Sequence, residues 1–373
     1  MMDWLIFGDD FGAHPSTTQH LARALPSADR IVWVDSLGMR APRVTLADAR
    51  RIVTRLWPRL PRPSRAPGPP QRPGLEVVHP WIVPWHGNRI AQQLNGGTLG
   101  LAIGRAARRN QSRPTVALLS NPVGVLYLDA LPRSCQPDRV VYLRLDDYVT
   151  LPGVDAALVA PIEAALIARA DEVVVTAERL APPGARSVRY LPQGVDVAHF
   201  ASIPDAPPES HVLGFFGLLA EWIDWPLVAE VAARCPSWTL ELLGPVRALP
   251  DTIAHLPNVR VRAGVPYATL PQAIAHWRAA WIPFEVTERT AGVNPLKLRE
   301  YLAAGFPTAS TALPEACRVA GISIVASASD VADWLEAARA DTPDARHARR
   351  ALVRSEGWDR RAATLRAWAG GTP

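Results

Sequence analysis

The sequence predicts an α/β protein built from two doubly wound parallel sheets that face a common cleft. Its 373 residues correspond to about two domains at roughly 150 residues each. Short apolar strands alternate with amphipathic helices in both halves, a pattern typical of doubly wound sheets. A proline-rich interruption from Tyr190 to Pro208 separates the halves and is typical of a domain boundary.

The first half is predicted to contain five strands and three helices. The strands are apolar runs bounded by turn residues: Trp4–Phe7, Arg30–Val34, Thr115–Leu119, Val140–Leu143 and Glu172–Thr176. The helices have apolar side chains at helical spacing: 17–24, with Ser16 or Thr17 as its N-cap, the basic stretch 45–57, and 154–169. Seven prolines between Pro58 and Pro73 predict an extended segment there.

The same alternation restarts in the second half. Its predicted strands are Val212–Phe216, Thr239–Leu243, Val259–Val261, Ala279–Pro283, a strand near Thr308, and Ile322–Val325. Its predicted helices are Trp225–Arg234, Leu270–His276 and, approximately, Pro295–Ala304. Because strands and helices alternate repeatedly in each half, the strands of each half are expected to run parallel.

The composition excludes several protein classes. With 48% apolar and 20% charged residues, the chain is neither disordered nor fibrous. Three widely spaced cysteines (Cys135, Cys235 and Cys317) argue against a disulfide framework and a clustered zinc site, and favour a reducing compartment. We expect a cytoplasmic protein, since the sequence shows neither a secretory leader nor an apolar run of the ~18 residues that span a bilayer.

The positive charge is concentrated in the first half. Residues 1–200 carry 23 Arg and 17 acidic residues, whereas residues 201–373 carry 17 basic and 18 acidic residues. Residues 41–72 hold eight Arg against one acid, Asp48. This stretch is either a solvated loop or a patch for anionic lipid headgroups or a phosphate-bearing acceptor. Nucleic acid is not expected as a partner, because no recognised binding motif accompanies the patch.

Lys297 is the only lysine among 40 basic residues. It follows Pro295, which suits the first turn of a helix, and Glu300 lies three residues further, on the same face. A cation near a helix N-terminus is favourable when an anion is also bound there, so Lys297 and the free N–H groups would share a diphosphate. Glu300 would accept hydrogen bonds from a ribose diol. The alternative is an ordinary Lys–Glu surface pair.

A glycine turn follows the strand Val212–Phe216. Gly217 lets backbone N–H groups approach a phosphate, or it serves only the geometry of the turn. The segment lacks the full G-x-G-x-x-G pattern, so a nicotinamide or flavin site has little support.

These motifs resemble bacterial GT-B glycosyltransferases of the family 4 type, essentially over the whole chain. The run Asn294–Pro307 is similar to the donor-site helix of that family, in which a glutamate contacts the nucleotide ribose. Further segments match in the same order: His14–Leu21, Trp33–Arg40, Tyr142–Tyr148, Ala170–Thr176 and Leu191–Phe200. Several of them resemble the subgroup of teichuronic acid and exopolysaccharide transferases, including a xanthan glucuronosyltransferase-like arrangement.

The chain also departs from the family pattern. Gly292 stands where the first glutamate of the E-x7-E signature would be, a residue that usually touches the donor sugar. Residues 221–224, Glu-Trp-Ile-Asp, replace the frequent Arg and Lys after the glycine turn. Lys297 is then the best remaining cation for the diphosphate.

The resemblance implies two Rossmann-like domains with separate tasks. Residues 1–198 would bind the acceptor, residues 199–355 would bind the nucleotide-sugar, and a C-terminal helix within 356–373 would pack back on the first domain. The donor-binding set is Gly217, Trp222, Thr290, Asn294, Leu296, Lys297 and Glu300.

Two residues of the first domain are catalytic candidates. Asp146, at the carboxyl end of the strand Val140–Leu143, would serve as the base for an acceptor hydroxyl, or else cap the next element. His14, in the loop after the first strand, would contact the acceptor or the donor phosphate, or else serve the loop structure.

The expected activity is sugar transfer from a nucleotide-diphosphate donor, UDP rather than GDP, without a metal or other cofactor. The acceptor would be a saccharide or a polyprenyl-linked molecule at the inner face of the membrane, in cell-surface polysaccharide synthesis. The basic stretch from Arg43 to Arg72 would attach the protein peripherally to anionic bilayers. Two alternatives remain: a GT-B type sugar-nucleotide epimerase, and a non-catalytic scaffold that binds saccharide or a partner transferase.

Overall fold

A computed structural model describes residues 1–12, 15–39, 72–107, 113–151 and 153–371. The chain divides into two compact units. The first comprises residues up to Leu191 together with the end of the chain from Ala362, and the second comprises Pro192–Arg361. The predicted helix 45–57 and the proline-rich segment lie outside the described residues.

The first unit is built on a sheet of seven described strands, all parallel. They are β1 (Asp3–Phe7), β2 (Arg30–Val34), β3 (Leu75–Val78), β4 (Thr115–Leu119), β5 (Arg139–Arg144), β6 (Glu172–Val175) and β7 (Val188–Tyr190). Their order across the sheet is β3-β2-β1-β4-β5-β6-β7. The order reverses between β1 and β4, so loops from these strands diverge there at the carboxyl edge, where doubly wound sheets place their ligands. The predicted parallel sheet is confirmed.

The described helices of the first unit start at side-chain caps. They are α1 (Thr17–Ala24), α2 (Arg89–Ala106) and α3 (Ala156–Arg169), with the caps Ser16, Asn88 and Asp155. Ser16 is one of the two predicted caps, and its hydroxyl accepts the Gln19 N–H. Gly96 lets α2 pack closely, because a β-carbon there would lie only 2.7 Å from the Ala130 β-carbon.

The second unit repeats the architecture with six described parallel strands. They are β8 (Val212–Phe216), β9 (Thr239–Leu243), β10 (Val259–Arg262), β11 (Ala279–Ile282), β12 (Thr308–Ser310) and β13 (Ile322–Ile324). Their order is β10-β9-β8-β11-β12-β13, which reverses between β8 and β11. Two doubly wound sheets are therefore present, as the sequence predicted.

The helices of the second unit pack beside its sheet. They are α4 (Val197–Phe200), α5 (Trp225–Arg234), α6 (Asp251–Ala254), α7 (Leu270–Ile274), α8 (Leu296–Ala303), α9 (Ala328–Arg339) and α10 (Pro343–Val353). Most of the large aromatic side chains lie in the cores rather than at a site. Trp4 and Trp33 are buried in the first unit, whereas Trp238, Trp277 and Trp281 are buried in the second.

The last helix, α11 (Trp358–Ala369), begins in the second unit and ends in the first. Arg366 near its end donates from Nε and Nη2 to the two carboxylate oxygens of buried Asp29, at 2.6 and 3.1 Å. Asp29 also accepts the Met2 backbone N–H at 2.9 Å. This pair fixes the end of the chain to the first sheet. Among the described residues, no helix is both long enough and apolar enough to cross a membrane.

Candidate functional site

Gly217 and Lys297, both predicted to bind the donor, lie together at the carboxyl edge of the second sheet. Gly217 directly follows β8 with φ +141°, a backbone conformation that favours glycine. A β-carbon at this position would overlap Lys297 Cε and lie 3.0 Å from Lys297 Nζ. The lysine side chain therefore occupies the space that only glycine leaves open.

A second glycine extends this bare backbone surface. Gly244 directly follows β9 with φ +159°, and a β-carbon there would overlap the Gly217 carbonyl oxygen. The ends of two neighbouring strands thus approach each other without side chains. The N–H groups of Gly217 and Gly244 are themselves bonded, to the carbonyls of Leu243 and Arg262 at 2.9 Å. The N–H groups at this edge that no side chain caps are therefore those at the start of helix α8. Sequence reasoning missed Gly244, although the Gly-Pro turn after a predicted strand was a usable signal.

Helix α8 directs its N-terminus to the same edge. Leu296 is its first residue, Pro295 is its N-cap, and no side chain caps the helix. Tyr301 holds the helix in place, since its hydroxyl accepts the Phe216 backbone N–H at 3.1 Å. Because Lys297 lies one turn before Tyr301, the same helical face carries the ammonium group to the end of β8.

The Lys297 ammonium is held in a poorly solvated environment. Burial lowers the pKa of the Lys297 ammonium, and the Glu300 carboxylate opposes that shift. Its Nζ lies 6.0 Å from the centre of the Phe215 ring. A desolvated cation beside an uncapped helix N-terminus is a strong attractor for a phosphate group.

Glu300 is almost fully buried, with 6% of its surface exposed. Burial raises the pKa of its carboxyl to about 7, while Lys297 and a hydrogen bond from Tyr267 act to lower the pKa. The negative charge of Asp196 adds to the rise. This carboxyl consequently changes charge near neutral pH, next to the Lys297 cation.

Tyr267, which follows β10, is a site residue that sequence reasoning missed. Its ring stacks on the His199 ring at 4.4 Å between centroids. Its backbone carbonyl accepts a hydrogen bond from His199 Nε2 at 2.8 Å. Asp196 caps α4 by accepting the His199 N–H at 3.0 Å. No sequence spacing connects positions 199, 267 and 300, so only the fold brings them together.

The side chains of Asn294 and Thr290 are engaged within their own loop. Asn294 Oδ1 accepts from Arg299 Nη1 at 3.1 Å, and Asn294 Nδ2 donates to Glu315 Oε2 at 3.3 Å. Thr290 Oγ1 donates to the Glu285 carbonyl at 2.5 Å. These two predicted donor-binding residues therefore shape the loop that precedes α8.

Trp222, the remaining predicted donor-binding residue, is partly exposed beside the glycine turn. The Arg247 guanidinium lies 5.5 Å from the centre of its ring and also forms an ion pair with Glu221 at 3.0 Å. One face of the indole is thus already covered by a cation.

Asp146 follows β5 at the carboxyl edge of the first sheet. Burial raises the pKa of its carboxyl to about 6, and the neighbouring Asp147 adds to the rise while Arg144 opposes it. Arg144 is bonded elsewhere, to Glu163 at 2.9 Å and to Asp147 at 3.2 Å. Asp146 is therefore a carboxyl that can accept a proton near neutral pH. The other catalytic candidate, His14, lies outside the described residues.

The same edge carries a carboxylate–imidazole pair that sequence reasoning missed. Asp35 follows β2 and accepts the Phe11 N–H at 2.9 Å. Its other oxygen lies 2.5 Å from Nδ1 of His79, which follows β3 and is about half exposed. Asp9, after β1, accepts from Ser16 and Gln19, and burial raises the pKa of the Asp9 carboxyl. Among the residues with described positions, no group of His, Cys, Asp or Glu side chains is arranged to hold a metal ion.

Comparison with known proteins identifies relatives with this architecture. No family profile matches the chain. The chain is 27% identical over 175 residues to TuaH of Bacillus subtilis (strain 168), whose name assigns it to teichuronic acid biosynthesis as a glycosyltransferase. The match covers 42% of this chain and 44% of that relative, so the chain spans less than half the length of the curated protein it matches.

Solved structures are similar over the full length. HepE of Anabaena, crystallised with UDP and glucose, has a TM-score of 0.68 at 14% identity, with 100% of each chain covered. The α,α-trehalose 6-phosphate synthase of Burkholderia multivorans has a TM-score of 0.62 at 12% identity, with 100% of this chain and 99% of that chain covered. With two parallel six- and seven-stranded sheets in the described residues, the chain has the two-domain GT-B fold of glycosyltransferases.

Proposed function

We propose that this protein is a glycosyltransferase that moves a sugar from a UDP-sugar to a saccharide or polyprenyl-linked acceptor in cell-surface polysaccharide synthesis. The observation that carries the proposal is the meeting of Lys297, the bare backbone of Gly217 and the uncapped start of α8. This arrangement suits a diphosphate, since it combines a cation with the start of a helix that no side chain caps. The glycosyltransferase relatives and the UDP-containing structure of HepE support the choice of donor.

Lys297 would act mainly on the leaving group. Negative charge develops on the nucleoside diphosphate as the bond to the sugar breaks, and a preorganised cation stabilises it in the transition state. A compact ammonium in a poorly solvated position performs this task without a metal. Glu300, one turn deeper in α8, would accept hydrogen bonds from the ribose hydroxyls once ionised.

Asp146 would act on the acceptor. A carboxyl with a pKa of about 6 is ionised at neutral pH and remains basic enough to take a proton from an attacking hydroxyl. The first unit, in which Asp146 lies, would bind the acceptor at the carboxyl edge of its sheet. The protein would bind this acceptor in the cytoplasm, at the inner face of the membrane.

The two alternatives are less consistent with the site. A non-catalytic scaffold has no requirement for a buried carboxyl with a pKa of about 7 next to the only lysine of the chain. A sugar-nucleotide epimerase would alter the donor sugar without any acceptor, so it would leave Asp146 without an acceptor hydroxyl to act on.

The test is an assay of purified protein with UDP- and GDP-linked sugars, with and without saccharide or polyprenyl-phosphate acceptors. Released nucleoside diphosphate and glycosylated product are measured by mass spectrometry. We expect UDP release that increases with acceptor and is lost in Lys297→Ala. An epimerised nucleotide-sugar formed without acceptor would identify an epimerase, and absence of any turnover with retained saccharide binding would identify a scaffold.

A further inference from the structure

Exposed apolar side chains are concentrated on helix α2 of the first unit and on the loop before it. Of twelve large hydrophobic residues exposed in the described part of the chain, five lie between positions 81 and 101. Their exposed fractions are Trp81 42%, Trp85 50%, Ile90 69%, Leu94 54% and Leu101 65%. Trp81 and Trp85 are also the only exposed tryptophans among the described residues. A concentration of exposed apolar side chains of this kind is typical of an interaction site.

Helix α2 is apolar on both of its faces. Ile90, Leu94 and Leu101 are spaced by four and seven residues, so they project from one side. Gly97 belongs to the same side, and a β-carbon there would meet no atom within 4 Å. The opposite side is buried through Leu99, Ile103 and four small residues, which are Ala91, Gly96, Gly100 and Ala106. The outer apolar side is therefore not needed for packing within the described unit.

The two exposed tryptophans are carried by a loop that is bonded to α2. Asn95 of α2 accepts the Val83 N–H at 2.7 Å and donates to the Val83 carbonyl at 2.8 Å. Thr98 donates to the Trp81 carbonyl at 2.9 Å. The loop and the outer side of α2 thus form one fixed surface, called here the α2 face: Trp81, Trp85, Ile90, Leu94 and Leu101.

The loop and helix that form the α2 face carry charge of one sign only. From position 77 to position 128 the sequence contains five Arg and no Asp or Glu. Arg89 and Arg105 lie at the two ends of α2, and both are exposed. An apolar surface with arginines at its ends, on a helix and loop that contain no carboxylate, is complementary to an anionic lipid layer. A second copy of the chain fits less well, because two such faces would bring like charges together.

We propose that the α2 face is a docking surface for an anionic lipid bilayer, with α2 lying in the plane of the interface. Ile90, Leu94 and Leu101 enter the boundary of the acyl chains, and the indole rings of Trp81 and Trp85 occupy the headgroup level, where amphipathic rings are favoured. Arg89 and Arg105 contact lipid phosphates. The surface consists only of described residues and is distinct from the predicted basic stretch Arg43–Arg72. It does not depend on sugar transfer.

The test uses flotation of the full-length protein with vesicles of phosphatidylcholine containing phosphatidylglycerol. We expect binding that is weaker at high salt, and at least ~10-fold weaker in the triple variant Ile90→Gln/Leu94→Gln/Leu101→Gln, because glutamine preserves helix propensity but removes apolar surface. A second variant, Trp81→Ser/Trp85→Ser, should lose binding without any change in α2. The control is Ile324→Gln/Leu352→Gln, two exposed apolar residues of the second unit, which should float like wild type.

Thermal unfolding and UDP affinity measured on every variant confirm that the variants fold and separate this proposal from the proposed donor site. Equal flotation of the triple variant and wild type would overturn the proposal, as would wild-type protein that stays in the soluble fraction with anionic vesicles. A wild-type dimer in sedimentation that becomes monomeric in the triple variant, with no flotation of either, would assign the face to self-association instead.

Discussion

Lys297 and Gly217 are coupled by shape: the lysine side chain occupies the volume that a β-carbon at position 217 would need, with Nζ 3.0 Å from that point. The cation of α8 and the turn after β8 therefore form one unit. The only lysine of the chain lies where the missing side chain of Gly217 leaves room for it.

Gly217→Ala should lower UDP affinity by ~10-fold or more, because the new methyl group displaces the ammonium and the φ of +141° is unfavourable for alanine. Isothermal titration calorimetry measures the effect. Gly97→Ala is the matched control, since its β-carbon meets no atom within 4 Å; it should leave affinity unchanged. If both variants bind UDP like wild type, the two residues do not form the diphosphate site.

Donor affinity should rise with pH around neutrality. The Glu300 carboxyl has a pKa of about 7, so it is mostly protonated below that pH and becomes a full hydrogen-bond acceptor above it. UDP-glucose is the suitable probe, because its diphosphate diester does not titrate in this range. We expect tighter binding at about pH 8 than at about pH 6, and a flat profile in Glu300→Gln. The same rise in the variant would exclude Glu300 as its source.

Ionisation of Glu300 should affect stability in the opposite direction: donor affinity rises with pH, whereas the free energy of unfolding falls. The folded state holds this proton up to about pH 7, whereas the unfolded chain releases it near the ordinary value of 4.5. The free energy of unfolding consequently falls as pH rises between these values. Glu300→Gln should therefore be more stable than wild type at about pH 8, by on the order of a few kcal/mol. Urea unfolding at two pH values measures it, and a variant less stable than wild type at high pH would contradict the assignment.

Asp146→Asn should reduce kcat by a factor of ~10² or more while UDP affinity stays near wild type. In wild type, kcat/KM should decline as pH falls below about 6, the pKa of this carboxyl. Asp147→Asn is the control, because Asp147 is adjacent but paired with Arg144 at 3.2 Å. Normal turnover by Asp146→Asn would remove Asp146 from the mechanism. The Asp35–His79 pair at the same edge would then be the next candidate for the base.

Glu241, a buried carboxylate in β9, should stabilise the second unit in a pH-dependent way. Despite its burial, hydrogen bonds from His276, Trp277 and Arg262 lower the pKa of Glu241 from 4.5 to about 2. The stabilisation is complete above about pH 4.5 and is lost as pH falls toward 2. Glu241→Gln should cost on the order of 3 kcal/mol at neutral pH. In urea unfolding, the loss of stability in Glu241→Gln relative to wild type should shrink below about pH 4. The control Glu230→Gln, at an exposed position, should lose no stability at either pH.

The sequence was sufficient to predict the strands and helices in which apolar residues follow a regular spacing. The strand Val212–Phe216 and the helix Trp225–Arg234 have the bounds that were predicted. The donor helix begins one residue later than predicted, at Leu296, because Pro295 serves as its N-cap. Gly305 has φ +85° directly after the C-cap Ala304, as a glycine in the predicted C′ position should.

Helix α2 was not predicted, for a physical reason. It contains Asn95-Gly96-Gly97 and Gly100, and each glycine costs a helix about 1 kcal/mol relative to alanine. Packing reverses that preference, since Gly96 is needed for close contact with Ala130. The short strands β3 and β7 have too few residues for a period-two pattern to be recognised.

The site was only partly predictable. Lys297 and Glu300 share a helix, so their relation follows from spacing alone. Tyr267 contacts Glu300 from a different loop, and Asp35 contacts His79 from a different strand. The two residues of each pair are far apart in the sequence, so no local sequence pattern indicates either contact. The internal bonds of Asn294 to Arg299 and Glu315 likewise depend on the folded loop.

The most direct test of the donor site is calorimetric binding of UDP and of uridine to wild type and Lys297→Ala. If Lys297 holds the diphosphate, the variant should lose UDP affinity by ~10-fold to 100-fold, the range expected for removing one charge-assisted contact, while uridine affinity stays within experimental error. Equal loss for UDP and uridine, or unchanged UDP affinity, would contradict the account.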